Sequence, residues 1–287
     1  MSIAGKIKTY LTFTKFRLSF TVVLSAVLGY LFVAGYFWTW KDVLLIAIGG
    51  SFLTGASNAS NQVWEREYDG LMNRTKNRPL PRGEMTLNEA YTVISVFLFI
   101  GLLCLYILNY KTFLLGILAY VSYVFMYTPM KRVSPWAVFV GAIPGSLPPL
   151  MGAIAFTNDF TFETGLLFFI QFVWQFPHFW AIAWISHEDY ARGGFSLLPV
   201  ASGKSKSSAA LIVIYSLFLI PFTLIPWLMD ITGIWSLIIG GLMSILFFLS
   251  ACKLYLTLDD KDAKICMFAS IIYLPVVQLV LVLDKIA

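Results

Sequence analysis

Residues 90–108 read AYTVISVFLFIGLLCLYIL, an apolar run without a charged side chain. A helix needs about 20 such residues to cross a bilayer, so this stretch predicts a membrane-spanning helix. Comparable runs follow one another along the chain, at 18–37, 43–60, 112–127, 136–156, 162–183, 209–228, 233–252 and 265–283. Only 12% of the 287 residues are charged and 59% are apolar, against about 25% charged in soluble domains. The sequence therefore predicts an all-α polytopic membrane protein with about nine transmembrane helices, formed by residues 1–287 as a single transmembrane domain.

The basic residues predict the orientation of these helices. Seventeen of the 20 lie in alternate connecting segments, at 1–17, 61–89, 128–135, 186–208 and 253–264. Because basic loops are retained in the cytoplasm, we expect a cytoplasmic N-terminus and an external C-terminus, in the cytoplasmic (inner) membrane of a bacterium. The first apolar run is too long for a signal peptide and is followed at once by another. The same bias explains the net charge of +5, so the lipid bilayer, and no nucleic acid, is the expected partner.

A first group of polar side chains follows the second apolar run. Asn61, Glu65 and Asp69 are spaced four residues apart. On a helix this spacing puts all three on one face, over a length of about 12 Å. Two carboxylates in that arrangement repel each other, and a cation between them would remove the repulsion. Oxygen ligands in an incomplete protein site suit Mg²⁺, which takes its remaining ligands from water and substrate phosphates.

Basic side chains come directly after this group, at Arg74, Lys76 and Arg78. The guanidinium group matches the geometry of phosphate oxygens, so residues that could hold a metal and residues that could hold phosphate are neighbours. Taken together they indicate a metal–diphosphate site. A solvated cytoplasmic loop with compensating ion pairs explains the same residues without any ligand, and the pattern alone leaves both interpretations open.

A second group closes the sixth apolar run. His178 follows Pro177 inside the run, and an ionisable residue within a membrane span is a candidate functional residue. Glu188, Asp189 and Arg192 stand at the cytoplasmic boundary, where they could supply further metal ligands and a phosphate partner. A hydrogen-bonded structural histidine and an ordinary solvated turn are the simpler alternatives.

Two further features lie around the fifth run. Tyr127 and Lys131 stand just before it on the expected cytoplasmic side, and Pro144, Pro148 and Pro149 interrupt it. Such prolines permit either close helix packing or an unwound segment that lines a cavity. Broken helices are typical of secondary transporters, so this run favours that alternative.

The combination resembles the UbiA superfamily of intramembrane prenyltransferases, and within it the branch that prenylates haem. The matching motifs are Asn61-x3-Glu65-x3-Asp69, Asp69-x-x-Met72-x-Arg74-Thr75-x-x-Arg78-Pro79-Leu80-x-x-Gly83, Pro177-His178-Phe179-Trp180, Glu188-Asp189-Tyr190 and Leu198-Pro199. The resemblance covers essentially the full chain. It departs at Glu65, where many members have Asp, and at Glu188-Asp189, which replaces a spaced acidic motif.

The resemblance implies a bundle of helices around a central cavity that opens near the cytoplasmic face. It implies transfer of a farnesyl group from farnesyl diphosphate to a vinyl group of protohaem IX, with addition of water, giving haem O and pyrophosphate. Mg²⁺ is the implied cofactor, and haem is a substrate. Whether a haem A synthase docks alongside stays open.

The resemblance also implies roles for individual residues. Metal and diphosphate ligands are expected at Asn61, Glu65, Asp69, Glu188 and Asp189. Phosphate oxygens are expected to meet Arg74, Lys76, Arg78, Lys131 and Arg192. Tyr127 is a candidate for stabilising the farnesyl cation, and His178 and Trp180 are candidates for haem contact, with His178 as axial ligand or propionate contact.

Two alternatives remain at this point. The first is a related enzyme of the same superfamily that prenylates an aromatic ring in quinone biosynthesis. The second, from a different class, is a secondary transporter. Against the transporter, the acidic residues cluster at one membrane face and not at the midplane.

Overall fold

The computed structural model describes residues 3–286, which form helices and connecting turns. The α-helices are α1 Ile3–Phe13, α2 Phe16–Ala34, α3 Trp40–Asp69, α4 Leu87–Leu108, α5 Tyr110–Val121, α6 Thr128–Met130, α7 Ala137–Thr157, α8 Phe162–Ile185, α9 His187–Arg192, α10 Lys206–Leu228, α11 Gly241–Thr257 and α12 Asp260–Leu283. A 3₁₀ turn, Gly35–Phe37, extends α2, and π-helical turns follow α5 (Ser122–Tyr127) and precede α11 (Ser236–Gly240).

Nine helical segments of the described chain are long and apolar enough to span a membrane, as the sequence predicted. They are Leu18–Phe37, Trp40–Asp69, Leu87–Leu108, Tyr110–Met130, Ala137–Thr157, Phe162–Ile185, Lys206–Leu228, Ser236–Thr257 and Asp260–Leu283. The segment 253–264, expected to be a connecting loop, is mostly helical, and only a short turn at Leu258 and Asp259 separates α11 from α12. The prediction of an all-α, multi-pass fold is confirmed.

Polar side chains before the apolar runs explain where several helices begin. At each start, a side-chain oxygen accepts a hydrogen bond from a backbone N–H of the first turn, which otherwise has no partner. These residues are Thr39, Thr86, Asn109, Thr161, Ser205 and Asp259. Thr86 and Glu89 form a reciprocal capping box at the start of α4.

The segments rich in Lys and Arg meet at one end of the bundle, called here the basic end. Lys6 of the N-terminal segment pairs with Glu89, and Lys204 Nζ lies 2.6 Å from an Asp260 carboxylate oxygen. At the opposite end, Lys285 pairs with Glu163. The alternation of basic segments along the sequence therefore corresponds to a segregation of charge in the fold.

The three prolines of α7 do not break it. The helix is continuous, and a Cβ added at Gly152 would overlap the carbonyl oxygen of Ala26, so α7 packs with its backbone against α2. Pro149 has no N–H for the carbonyl of Gly145, and Gln171 Nε2 donates to that oxygen at 2.7 Å instead. Of the two expectations for this run, close packing is confirmed, and the broken helix that favoured a transporter is absent.

A ring of hydrogen bonds joins three helices away from the basic end. Ser25 Oγ of α2 lies 2.6 Å from Gln171 Oε1 of α8, and Gln278 Nε2 of α12 donates to the same Gln171 oxygen at 2.7 Å. All three side chains are buried. Gln278 is close to the last residue of α12, so the ring is far from the basic end where α12 begins.

Candidate active site

A cavity of about 580 Å³ runs from the basic end into the bundle, between α2, α3, α5, α7, α8 and α12. Charged and polar residues line it near the basic end, and apolar side chains and the buried glutamines line its interior. The residues predicted for the site that line this cavity are Asn61, Glu65, Asp69, Arg74, Arg78, Tyr127, Lys131 and His178. A volume of this size is ordinary for a small-molecule site.

Helix α3 supplies the acidic wall. It continues through the motif to Asp69, so Asn61, Glu65 and Asp69 follow one another along the face that lines the cavity. The Asp69 side chain is 0% exposed and that of Glu65 is 8% exposed. Asn61 Nδ2 donates to Thr128 Oγ1 at 3.2 Å, which ties α3 to the segment that follows the π-helical turn.

Two cations neutralise these carboxylates. Lys131 Nζ lies 2.8 Å from Glu65 Oε1, and Arg78 Nη1 lies 2.6 Å from Asp69 Oδ2. Arg78 also lies 3.9 Å from Glu65. Removing one partner of a buried ion pair costs about 3–5 kcal/mol, because the other charge stays buried without compensation. The four side chains therefore act as one charge network.

Two lysines, Lys131 and Lys15, lie at this network, and their pKa values shift in opposite directions. Burial disfavours the charged ammonium of Lys131, but the neighbouring Glu65 carboxylate outweighs it and raises the pKa of Lys131 above its ordinary value. Lys15 lies in the turn between α1 and α2 and lines the same cavity. Burial, together with repulsion from Arg78 and Lys131, lowers the pKa of Lys15 to about 7. A polyanion entering the cavity would relieve this repulsion.

The donor set of the first motif fits a hard divalent cation. It offers two carboxylates and an amide oxygen, which are the ligand types of Mg²⁺. No cluster of three or more His, Cys, Asp or Glu side chains able to hold a metal occurs in the part of the chain that the structure describes. The protein thus provides a partial shell, of the kind that water and substrate phosphates complete.

The structure uses Asp189 differently from the first motif. Its two carboxylate oxygens accept hydrogen bonds from the backbone N–H groups of Asn73 and Arg74, at 2.8 and 3.0 Å. Arg192 Nη2 donates to Asp189 Oδ1 at 2.6 Å. Burial would raise the pKa of Asp189, but the Arg192 guanidinium and the two backbone donors outweigh it and lower that pKa. Asp189 fastens the loop after α3 to α9.

Several predicted residues are not brought to the cavity. Glu188 is exposed on α9, and neither it nor Asp189 lines the cavity. Lys76 and Arg192 are also exposed, with Lys76 Nζ donating to Asn73 Oδ1 at 3.0 Å. The two acidic motifs lie at the same end of the molecule, but the structure does not bring their carboxylates together around one ion.

Helix α8 presents His178 to the cavity and Trp180 to the protein interior. His178 Nδ1 lies 2.7 Å from Ser270 Oγ, and its ring stacks on Trp174 with 4.4 Å between centroids. Trp180 packs against Tyr215 and does not line the cavity. The two neighbours in the Pro177-His178-Phe179-Trp180 motif therefore face different environments, and only His178 lines the cavity.

Tyr127 lies at the end of the π-helical turn and faces Lys131. The Lys131 ammonium is 4.6 Å from the centroid of the Tyr127 ring. Gly141 leaves room for this ring, since a Cβ there would overlap it. The face of the Tyr127 ring thus already attracts the Lys131 ammonium, next to the carboxylates of the first motif.

The sequence pattern does not single out every residue of this cavity, and Lys15 and Asn58 are among those it misses. Lys15 reads as one basic residue of the N-terminal segment, and its left-handed backbone, with φ of 49°, could not be read from its neighbours. Asn58 precedes Asn61 by three residues and lines the cavity. The available signal for Asn58 was its position on the same helical face as the motif.

Comparisons with known proteins agree with this site and fold. Residues 22–272 match the UbiA prenyltransferase family. A protein of Cytophaga hutchinsonii named protoheme IX farnesyltransferase is 43% identical over 284 residues, which are 99% of each chain.

Solved structures are similar over nearly the whole length. One, described as digeranylgeranylglyceryl phosphate synthase in membranes, has a TM-score of 0.81 at 20% identity and covers 98% of both chains. Another, a UbiA homologue from Archaeoglobus fulgidus bound to GPP and Mg²⁺, has a TM-score of 0.70 at 16% identity, covering 95% of this chain and 99% of that one. Fold, motif and full-length similarity together show that this chain belongs to the UbiA prenyltransferase family.

Proposed function

We propose that this protein transfers the farnesyl group of farnesyl diphosphate to a vinyl group of protohaem IX, with addition of water, and releases haem O and pyrophosphate. The observation that carries the proposal is the cavity itself, in which a buried carboxylate–cation network closes one end of an apolar chamber. The full-length relative named protoheme IX farnesyltransferase supports the choice of haem as acceptor.

Asn61, Glu65 and Asp69 would hold Mg²⁺ with the diphosphate, as their oxygen donors fit this ion. A bound Mg²⁺ would supply stabilisation of the negative charge that develops on the departing diphosphate. Arg78 and Lys131, now paired with Asp69 and Glu65, would donate to phosphate oxygens when the substrate is present. Arg74 and Lys15 also line the cavity. Once these cations contact the phosphate oxygens of bound substrate, they would stabilise the leaving group without further reorganisation.

The remaining predicted residues have the following roles in this proposal. Lys76 and Arg192 would contribute to the positive field that attracts diphosphate. For Glu188 and Asp189, metal ligation stays a prediction, which Mg²⁺ titration of variants tests. Tyr127 remains the proposed stabiliser of the farnesyl cation, and Trp180 would act on haem only through its packing in α8.

We infer that His178 is an axial ligand of the haem iron and not a propionate contact. The Ser270 hydroxyl donates its single hydrogen to the Met267 carbonyl oxygen at 2.6 Å. With that hydrogen given to Met267, Ser270 Oγ accepts from His178 Nδ1, and a neutral ring in this arrangement carries its proton on Nδ1. Nε2 is left with a lone pair, which can bind iron but cannot donate to a carboxylate.

The basic end is proposed to face the cytoplasm of a bacterial inner membrane, with the N-terminus inside and the C-terminus outside. The support is the segregation of Lys and Arg described above. Residues 1–287 are proposed to work as a single transmembrane domain, because the cavity draws on helices from α2 to α12.

The direct test is mass analysis of haem after the purified protein is incubated with protohaem, farnesyl diphosphate and Mg²⁺. We expect the mass of haem O and one pyrophosphate per product. Parallel reactions offer hydroxybenzoate and dihydroxynaphthoate as acceptors, with several prenyl diphosphates. Prenylation of an aromatic acid alone would refute the haem assignment. Movement of haem or isoprenoid across proteoliposomes without pyrophosphate release would refute the enzymatic proposal.

A further inference from the structure

Asn58 is a buried polar residue of the cavity that the reaction described so far does not use. It lies on α3, lines the cavity and is 3% exposed. Its amide nitrogen has no hydrogen-bond partner among the described residues. Leaving a buried polar group unpaired is unfavourable, so the position calls for an explanation.

The neighbouring polar residues of α3 differ from Asn58 in this respect. Ser57 Oγ donates to the Leu53 carbonyl oxygen at 2.9 Å, and Ser60 Oγ lies 2.9 Å from the Tyr120 hydroxyl. Asn61 Nδ2 donates to Thr128 Oγ1. Gln62 Nε2 donates to the Phe13 carbonyl oxygen, while its Oε1 is buried without a partner among the described residues. Structural hydrogen bonds therefore account for Ser57, Ser60 and Asn61. Gln62 does not line the cavity, so Asn58 is the residue of this stretch that is left for a ligand in the cavity.

The position of Asn58 relative to the residues proposed to bind diphosphate limits which reactant it can contact. Three residues along a helix correspond to about 4.5 Å, so Asn58 lies about that far from Asn61 toward the interior of the cavity. The diphosphate of the donor would lie near Asn61 and Glu65, and its first carbon lies on the interior side of the diphosphate. Asn58 thus flanks the place where the new carbon–carbon bond would form.

Of the three reactants, water matches Asn58 best. The farnesyl chain has no polar group beyond its diphosphate, and the charged haem propionates are better satisfied by cations. A neutral amide can donate to water and accept from it. Rotation about the last side-chain bond exchanges its two polar ends, so either end can face the cavity. Water is also the one reactant that an apolar chamber would not retain without a polar anchor.

We propose that Asn58 is a positioning residue that holds the water molecule consumed in the reaction. The inference rests on the proposed function. The vinyl π electrons bond to the first farnesyl carbon while the carbon–oxygen bond breaks, and its electron pair leaves with pyrophosphate. The vinyl carbon attached to the haem ring becomes cationic. The oxygen of the held water bonds to that carbon, and the surplus proton passes to pyrophosphate.

Without a held water, the same cation has a different fate. It loses a proton from the adjacent methylene group to pyrophosphate and forms an alkene, so the product is farnesylated haem that lacks one water molecule. The ratio of dehydrated to hydrated product therefore reports on Asn58 independently of how fast farnesyl diphosphate is consumed.

The test uses the full-length protein with protohaem, farnesyl diphosphate and Mg²⁺, and compares Asn58→Val with Asn58→Thr. These side chains have the same shape, and only threonine keeps a group that binds water. We expect the ratio of dehydrated to hydrated product to rise about tenfold in Asn58→Val, the factor for one lost hydrogen bond. In Asn58→Thr it should stay near the wild-type value. Ser57→Ala is the control, because Ser57 already bonds to its own helix.

Equal ratios in Asn58→Val and Asn58→Thr would overturn the inference. So would loss of pyrophosphate release in Asn58→Val alone, because the polar group would then serve bond cleavage and not water capture. A wild-type protein that forms no farnesylated haem would refute the proposed function, and with it this inference. The wild-type reaction thus separates failure of the function from failure of the role of Asn58.

Discussion

The two acidic motifs of this protein both lie at the basic end of the bundle, and they serve the fold differently. Glu65 and Asp69 lie on a long helix whose face lines the cavity, with both carboxylates buried against Lys131 and Arg78. Asp189 lies on the short helix α9 and accepts hydrogen bonds from the backbone of the loop that follows α3. The first motif lines the cavity in which a ligand would lie. The second holds the loop after α3, which contains the basic residues.

A carboxylate is available to a ligand only if its present partners can be replaced. The partners of Glu65 and Asp69 are mobile ammonium and guanidinium side chains that can turn to a phosphate. The partners of Asp189 include two backbone N–H groups, which need an acceptor for as long as the loop stays folded. We therefore expect the two motifs to respond differently to substitution.

The largest effect is expected from Asp69→Asn. The amide keeps the shape of the side chain and one acceptor for Arg78, but removes a charge from the proposed metal site. We expect turnover to fall by about 100-fold or more at limiting Mg²⁺, with normal membrane insertion. Initial rates of pyrophosphate release measure it, and exposed Glu67→Gln is the control. Full activity of Asp69→Asn under these conditions would contradict the role of the first motif.

Arg78→Lys is expected to have the next largest effect. Lysine keeps the charge but loses the planar group that reaches Asp69 at 2.6 Å and Glu65 at 3.9 Å. We expect kcat/KM for farnesyl diphosphate to fall about tenfold. Arg82→Lys, whose arginine pairs with Glu84 at the surface, is the matched control. Equal kcat/KM values for the two variants would show that Arg78 acts as a point charge only.

Asp189→Asn is expected to weaken substrate binding without changing the response to Mg²⁺. The loop would keep one acceptor but lose the charge that pairs with Arg192. We expect KM for farnesyl diphosphate to rise about fivefold, consistent with about 1 kcal/mol of lost loop support, and the Mg²⁺ concentration for half-maximal rate to stay unchanged. A higher Mg²⁺ requirement would instead favour direct metal ligation by Asp189.

The smallest effect is expected from Glu188→Gln. This side chain is exposed and does not line the cavity, and substitutions at such positions usually have little effect. We expect rates and Mg²⁺ dependence within about twofold of wild type. A marked rise in the Mg²⁺ requirement would support the prediction that the second motif also binds metal.

Local periodicity explains what could be predicted from the sequence. The nine apolar runs predict the nine spanning segments of the described chain, because the thickness of a bilayer sets the length of helix that crosses it. The shared face of Asn61, Glu65 and Asp69 followed from spacing alone, because one continuous helix carries all three.

Contacts between distant segments could not be predicted in the same way. Asp189 meets the Asn73 backbone across more than a hundred residues, and no periodicity in either segment indicates that pairing. Lys15 enters the cavity only because a left-handed residue separates α1 from α2. That Asn58 lacks a partner stands out only beside Ser57, Ser60 and Asn61, whose hydrogen-bond partners the folded structure supplies.

The ring of Ser25, Gln171 and Gln278 has a consequence for the energetics of the membrane. A bundle that admits water from one side would dissipate a transmembrane proton gradient if titratable groups continued across it. Hydroxyl and amide side chains do not ionise near neutral pH, and these three satisfy one another. The ring therefore offers no titratable group that could carry a proton from the cavity toward the opposite end of the bundle.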